Sequence, residues 1–134
     1  VAFLLALGDA RLANSARDAA TRFAERLRDE HARYLFMGHW GFQYYMERAG
    51  AEPVNFDDPG LRPGDRIIAP KISSRALPVP PVAKREDLDF PVSGWFATVS
   101  LDRGACFYAH LLGPLPFRVG PVPPEKYRIV TLAP

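Results

Sequence analysis

The sequence predicts one α/β domain, in which helices pack on a mixed sheet of about five strands. Residues 12–28 repeat apolar positions with the spacing of an amphipathic helix, and residues 34–56 read as strand, glycine turn, helix and strand. The second half is rich in proline and in short runs of β-branched and aromatic residues. We therefore expect a single soluble domain over residues 1–134. Its first half should be a Rossmann-like parallel βαβ unit, and its β-rich second half should pair antiparallel through a hairpin at residues 90–110.

The composition limits the class of protein. Hydrophobic residues make up 48% of the 134 residues and charged residues 24%, a balance typical of a globular chain long enough to bury a core. The formal net charge is only +2, which gives no reason to expect a nucleic-acid partner. Cys106 is the single cysteine, so an intrachain disulfide is excluded and a cysteine-based zinc site is disfavoured.

The first helix is predicted over residues 12–28, and it can continue upstream through residues 3–10. Its charged positions lie opposite its apolar face, which favours packing on one face of the sheet; contact with anionic lipid headgroups is the alternative. The apolar run at residues 1–7 is too short to span a bilayer, which takes about 20 residues. Residues 1–10 therefore fit either the end of a membrane-proximal helix or a helix that packs locally. We expect the natural protein to extend upstream of Val1.

The central element is the stretch from Tyr34 to Gly50. Its first four residues form an apolar run of strand length, which Gly38 ends. The residues after Gly41 then show one apolar helical face, and Gly50 occupies the place of a C-terminal capping glycine. Residues 53–56 can begin a second strand. The turn between the first strand and the helix should lie at the C-terminal end of that strand, the edge at which open α/β sheets usually bind ligands.

Four residues at this turn are candidates for ligand binding: His39, Trp40, Gln43 and Tyr44. The flanking glycines let backbone amides approach a phosphate or a sugar hydroxyl, and the start of a helix adds partial positive charge. The alternative is structural, with Trp40 as a packed anchor whose indole N–H needs a partner. The turn lacks the lysine of a phosphate-binding loop and the GxGxxG pattern.

The sequence assigns no catalytic and no metal-binding residue, and no cofactor is expected. The three histidines form none of the usual zinc spacings, and no serine has a GxSxG context. Aromatic side chains can stack on sugar rings, but in a domain of this size most are interpreted as core. These aromatic residues are Trp40, Tyr44, Tyr45, Trp95, Phe96, Phe107 and Tyr108.

The second half is predicted as strands joined by proline and glycine turns. Residues 65–70 form a short strand, and residues 71–89 an irregular surface connection whose charge cluster is only solvated. Residues 90–101 form one strand, the turn at 102–104 reverses the chain, and residues 127–132 form the closing strand.

Three segments carry a resemblance to a known family. GHWGFQYYMERAGA at residues 38–51, PGDR at 63–66 and AHLLGPLPF at 109–117 resemble the C-terminal extramembrane part of bacterial membrane glycosyltransferases. These are similar to the dolichyl-phosphate-mannose-protein mannosyltransferases, which are glycosyltransferase family 39-like proteins. The resemblance covers about residues 12–117, and its most specific motif is the run around Trp40.

The resemblance implies an accessory, extracytoplasmic (periplasmic) domain of an integral membrane protein. In this family the catalytic acidic residues lie in an early loop between membrane helices, and no position here matches them. The implied partners are the membrane-embedded catalytic part of the same polypeptide and a polyprenyl-phosphate sugar or its acceptor. The domain itself would be non-catalytic and could aid substrate recognition. The alternative is a free-standing small α/β enzyme, or a nucleotide- or phosphate-binding module, that uses the turn at His39.

Overall fold

A computed structural model describes residues 2–71, 80–100, 102–107 and 113–134, with the backbone but not the side chain of Trp40. The chain divides into two compact units. Unit 1 comprises residues 1–15 and 91–124, and unit 2 comprises residues 16–90 and 125–134. The single-domain organisation stays a prediction.

The described residues form two α-helices and nine β-strands, and their class is α/β, as the sequence predicts. The strands of unit 2 form one five-stranded sheet in the order β2-β1-β3-β9-β4. In it β1 runs parallel to β2 and β3, whereas β9 runs antiparallel to β3 and β4. The mixed sheet is therefore confirmed. The elements are α1 (Ala2–Asp29), β1 (Tyr34–Phe36), α2 (Trp40–Arg48), β2 (Glu52–Pro53), β3 (Arg66–Pro70), β4 (Val82–Phe90), β5 (Phe96–Ala97), β6 (Val99–Ser100), β7 (Ala105–Cys106), β8 (Arg118–Val119) and β9 (Glu125–Leu132).

The predicted strand–helix–strand unit is β1-α2-β2, with its two strands parallel and adjacent. The helix ends as the sequence indicates, because Gly50 takes a φ of 86°. Its N–H donates to the carbonyl of Glu47 at 3.0 Å, and the N–H of Ala51 donates to the carbonyl of Met46 at 3.1 Å. This pair of bonds is the Schellman motif, which satisfies carbonyls that the last turn would otherwise leave free. The next crossover, residues 54–65, contains no helix, and the finer Rossmann-like comparison stays a prediction.

One face of the sheet is covered by both helices. Phe23 of α1 is fully buried, with its ring centroid 5.7 Å from that of Tyr127 on β9 and 6.2 Å from that of Phe42 on α2. Phe90 completes this aromatic cluster at 5.8 Å from Phe23. Rings at these separations gain contact energy beyond the burial of their area, so this cluster is the main core of unit 2.

On the opposite face, the described residues provide a loop rather than a helix as the cover. Leu35, Ile67 and Leu132 are buried there, and Phe56 and Leu61 from residues 54–65 pack against them. The loop thus takes the place that a second helix has in a doubly wound fold. Neither helix of the described residues combines the length and the hydropathy needed to cross a membrane.

The prediction of an irregular connection over residues 71–89 is wrong for its second part. Val82–Phe90 form β4, the longest strand of the sheet, which pairs with β9 along its length. Its sequence is charged rather than alternating apolar, and two of its carboxylates have close cationic partners: Glu86 pairs with Arg26 at 2.7 Å, and Asp87 with Arg128 at 2.8 Å. Residues 72–79 of the predicted connection lie outside the described residues.

Unit 1 is built from short strands. The predicted hairpin is confirmed, since β6 and β7 pair antiparallel around the turn at residues 102–104. The prediction of one strand over residues 90–101 is wrong, because β4 ends at Phe90 and only β5 and β6 follow. Pro91 cannot donate to a ladder, and Gly94 has a φ of 146°, so regular pairing is interrupted between them. β5 instead pairs antiparallel with β8.

Candidate functional site

The predicted turn lies where the sequence places it, between the C-terminal end of β1 and the start of α2. Gly38 has a φ of 119°, and a Cβ atom added to it would lie 2.9 Å from Cγ of Pro70. Both the conformation and the close approach therefore require glycine at this position. Gly41, the second glycine of the predicted turn, has no such requirement. It lies inside α2, and a Cβ atom there would meet nothing within 4 Å.

The four predicted ligand residues are placed as follows. His39 is exposed at the N-cap position of α2, and its side chain makes no capping hydrogen bond. The amide of Gln43 donates to Glu47 at 2.8 Å, and the hydroxyl of Tyr44 accepts from Arg48 at 2.8 Å. Polar atoms of both side chains are thus bonded to the next turn of their own helix. The side chain of Trp40 lies outside the described residues, and ligand binding at this turn stays a prediction.

A second feature was not predicted from the sequence: a concentration of exposed apolar side chains in unit 1. In the described part of the chain, every exposed large apolar residue except Tyr44 belongs to this unit. Where such residues form a contiguous patch, it marks contact with a membrane or another molecule more often than scattered single residues do. These residues are Phe3, Leu4, Trp95, Phe107, Leu115 and Val119.

Part of this concentration forms a groove of about 380 Å³. We define the unit 1 apolar surface as this groove together with the exposed Phe3, the residue before Leu4 in α1. Leu4 and Leu7 of α1 line one part, and Arg11 is the one charged side chain among the lining residues. Trp95 and Val119 stand out at 69% and 73% exposed. The remaining lining residues are Phe96 and Phe117.

The groove has a packed floor. Phe96 and Phe117 lie on the paired strands β5 and β8 or next to them, and their ring centroids are 4.9 Å apart. A Cβ atom on Gly8 would lie 3.3 Å from both the ring and the carbonyl oxygen of Phe96, a tight contact that shows how closely α1 approaches this strand. The buried hydroxyl of Thr98 also donates to Asp9 at 2.5 Å. These contacts hold the first turns of α1 against β5 and preform the groove.

A buried arginine holds the other strands of unit 1. Nη1 of Arg118 donates to both carboxylate oxygens of Asp102 at 2.9 Å and to Oγ of Ser100 at 3.2 Å. A hydrogen bond from Ser100, with the charge of Arg118, lowers the pKa of Asp102 below its usual value. Nε of Arg118 has no hydrogen-bond partner among the described residues. The network ties β8 to the β6–β7 turn.

Comparison with protein-family models, with curated proteins and with solved structures finds no match to this chain. Within the described residues, no group of three or more His, Cys, Asp or Glu side chains is placed to hold a metal ion.

The sequence interpretation of most of the seven aromatic residues as core does not hold for Tyr44, Trp95 and Phe107, because these three side chains are exposed. Phe96, by contrast, is partly buried in the floor of the groove. The signal that could have separated them is local. Trp95 directly follows Gly94, whose positive φ turns the chain. The side chain of Trp95 is exposed, and the next residue, Phe96, begins β5.

Proposed function

We propose that this chain is an accessory extracytoplasmic domain at the C-terminus of a membrane glycosyltransferase that uses polyprenyl-phosphate sugars. Its partner is the membrane-embedded catalytic part of the same polypeptide, and the domain acts on the periplasmic face without catalysing transfer itself. The observation that carries the proposal is the unit 1 apolar surface, which suits contact with the membrane interface. The motifs around Trp40 and Leu112 support the same assignment through their resemblance to this group of enzymes.

The composition of the unit 1 apolar surface supports an interfacial position. Tryptophan is favoured where membrane meets water, because its ring is apolar and its N–H is polar. Phe3, Leu4 and Val119 supply apolar area, and burying a side chain of this size fully is worth about 1.5–3 kcal/mol. Arg11 can reach lipid phosphates while its aliphatic stem stays against the groove. Shallow insertion of this surface would tether the domain beside the bilayer.

Flotation with phospholipid vesicles tests the proposal. The chain should float with vesicles of phosphatidylcholine and phosphatidylglycerol. The double variant Trp95→Ser/Val119→Ser should lose roughly tenfold in partitioning, because two apolar side chains no longer insert. Tyr44→Ser is the matched control, since it removes an exposed aromatic side chain of unit 2. A chain that stays unbound, or a control that loses as much partitioning as the double variant, would argue against the proposal.

A transfer assay tests the accessory role. The purified chain, given a polyprenyl-phosphate sugar and candidate acceptors, should form no glycosylated product, because the resemblance assigns catalysis to another part of the enzyme. Product formation by the chain alone would overturn the non-catalytic assignment and would leave the vesicle result as a separate property of the surface.

A further inference from the structure

Unit 2 contains a polar cavity of about 210 Å³ beside the last turn of α1. The cavity is lined by Arg26 of α1 and by Glu30, the residue directly after this helix. The sheet contributes Arg66, Lys84 and Glu86. Thr131 adds a hydroxyl and Ile129 an apolar contact. Charged side chains thus converge from α1, β3 and β4 on one small space.

The strand register makes this convergence a property of the backbone. Arg66 on β3 is the cross-strand neighbour of Thr131 on β9, and Thr131 is the neighbour of Lys84 on β4. In the next row, Ile129 is the neighbour of Glu86. Side chains alternate along a strand, so all of these residues share the face on which α1 packs.

The carboxylates of the cavity are already engaged. Glu86 accepts from Arg26 at 2.7 Å, and this hydrogen bond lowers the pKa of Glu86, which is therefore charged at neutral pH. Glu30 pairs with Arg66 and accepts from the hydroxyl of Tyr34 at 2.6 Å. Three cationic side chains thus face two carboxylates, which leaves one positive charge in excess.

The excess charge is held by Lys84. Lys84 makes only a long ion pair with Glu86, with Nζ 3.8 Å from a carboxylate oxygen, and its side chain is 71% exposed, so it can turn toward a ligand at the mouth. With the carboxylates engaged, the groups left to a ligand are donors: Lys84, further N–H groups of Arg26 and Arg66, and the hydroxyl of Thr131. Donors of this kind match a small, acceptor-rich anion.

We propose that this cavity is a binding site for a phosphate group, as free phosphate or as a small phosphate monoester. Its volume is below the range of pockets that bind drug-sized ligands, which fits a ligand of this size. Arginine and lysine together supply the bidentate and point-charge contacts that phosphate oxygens accept. The inference rests on unit 2 alone, so its failure and the failure of the membrane proposal are separate outcomes.

Inward-pointing charges on an edge strand have another known use, which is to prevent the edge from pairing with a second chain. β4 is the last strand of the sheet as described, so this use applies to Lys84 and Glu86. The two explanations differ in what they expect of added phosphate, because protection of an edge requires no ligand.

Titration of the 134-residue chain with inorganic phosphate, followed by ¹H–¹⁵N NMR at low ionic strength, tests the site. Amide shifts should centre on Arg66, Lys84 and Thr131, with a Kd on the order of 1 mM. Lys84→Gln should raise that Kd roughly tenfold, since it removes a charged donor. Arg85→Gln is the matched control, because it removes a cation from the next residue of the same strand, on the other face; it should change the Kd by less than about twofold.

A second variant is expected to change the Kd for phosphate in the opposite direction. Glu86→Gln removes a negative charge from the cavity and frees Arg26, so it should lower the Kd for phosphate about threefold. If Lys84→Gln and Arg85→Gln weaken phosphate binding equally, the binding depends only on general surface charge, and the proposed site is wrong. The absence of phosphate-dependent shifts in a folded chain would also overturn it and leave edge protection as the role of these charges.

Ligand comparison distinguishes the source of the phosphate group. A hexose phosphate that binds more tightly than inorganic phosphate, with the same Lys84→Gln effect, would identify a monoester site. Equal affinity for both would identify a site for the phosphate ion itself. Binding of the neutral hexose with shifts at the same three amides would contradict an anion site.

Discussion

Gly38 lies so close to Pro70 that a single methyl group on Gly38 would approach Cγ of that proline to 2.9 Å. The contact joins the end of β1 to the end of the neighbouring strand β3. It sets the path by which the chain leaves the sheet and enters α2. The predicted turn therefore depends on one of its two glycines.

Gly38→Ala should lower the free energy of unfolding by about 1–3 kcal/mol, because the new Cβ meets Pro70 and the φ of 119° is strained for alanine. Gly41→Ala is the control. It adds a methyl group to open space inside a helix, so it should be neutral or should stabilise by up to about 1 kcal/mol. Urea unfolding of both variants gives the comparison, and equal losses would contradict this account of the turn. The sequence predicts that both glycines of the turn are required by close packing or a positive φ, and for Gly41 this prediction is wrong, since neither applies.

Phe23 and Phe3 lie on the same helix, at 0% and 76% exposed. Phe23→Ala should cost about 3–5 kcal/mol of unfolding free energy, because it empties the centre of the aromatic cluster. Phe3→Ala should change stability by less than about 0.5 kcal/mol, since its ring already faces solvent. Chemical denaturation monitored by circular dichroism measures both. A large loss for Phe3→Ala would show that its ring is part of a packed core and not of the unit 1 apolar surface.

Glu125 is buried at the start of β9, where it accepts a hydrogen bond from the hydroxyl of Tyr127 at 3.0 Å. Burial raises the pKa of Glu125 above its usual value, although the bond from Tyr127 acts in the opposite direction. The folded state therefore holds this proton more tightly than the unfolded state does. Its contribution to stability is complete below the unfolded pKa and is lost as pH rises through the folded pKa.

The variant Glu125→Gln keeps an acceptor for Tyr127 but does not titrate. The stability of the wild-type protein relative to this variant should fall as pH rises above the usual range of a glutamate, because only the wild-type protein must then bury a charge. Urea unfolding of both proteins across that pH range measures the difference. A difference that stays constant, or that grows with pH, would contradict the raised pKa.

Several elements could be predicted because the residues that determine them are close together in the sequence. The apolar face of α1, the glycine that ends α2 and the alternation of β9 each follow from neighbouring residues. β4 could not be predicted in this way. Its inward positions include Lys84 and Glu86, and what makes it a strand is pairing with β9, about 40 residues later in the chain.

The functional surfaces were harder to predict for a related reason. Trp95, Phe96 and Val119 all have the composition of core residues, yet Trp95 and Val119 are exposed while Phe96, the cross-strand neighbour of Val119, is partly buried. The polar cavity likewise needs Arg26 from a helix beside Arg66 and Lys84 from two strands, which no sequence spacing reveals. The candidate residues at the turn were identified from the local glycines. For these residues, the sequence correctly predicted a position between β1 and α2.

The most direct test of the membrane proposal is quenching of Trp95 fluorescence by brominated lipids. Trp40→Phe leaves Trp95 as the single tryptophan of the chain, and Trp95→Phe leaves Trp40 for comparison. If the unit 1 apolar surface enters the interface, Trp95 emission should shift to the blue with vesicles, and bromines near the headgroups should quench it most strongly. Trp40 in the comparison variant should be quenched less. Trp95 emission that is neither shifted nor quenched by vesicles, in a chain that remains folded, would contradict the proposal.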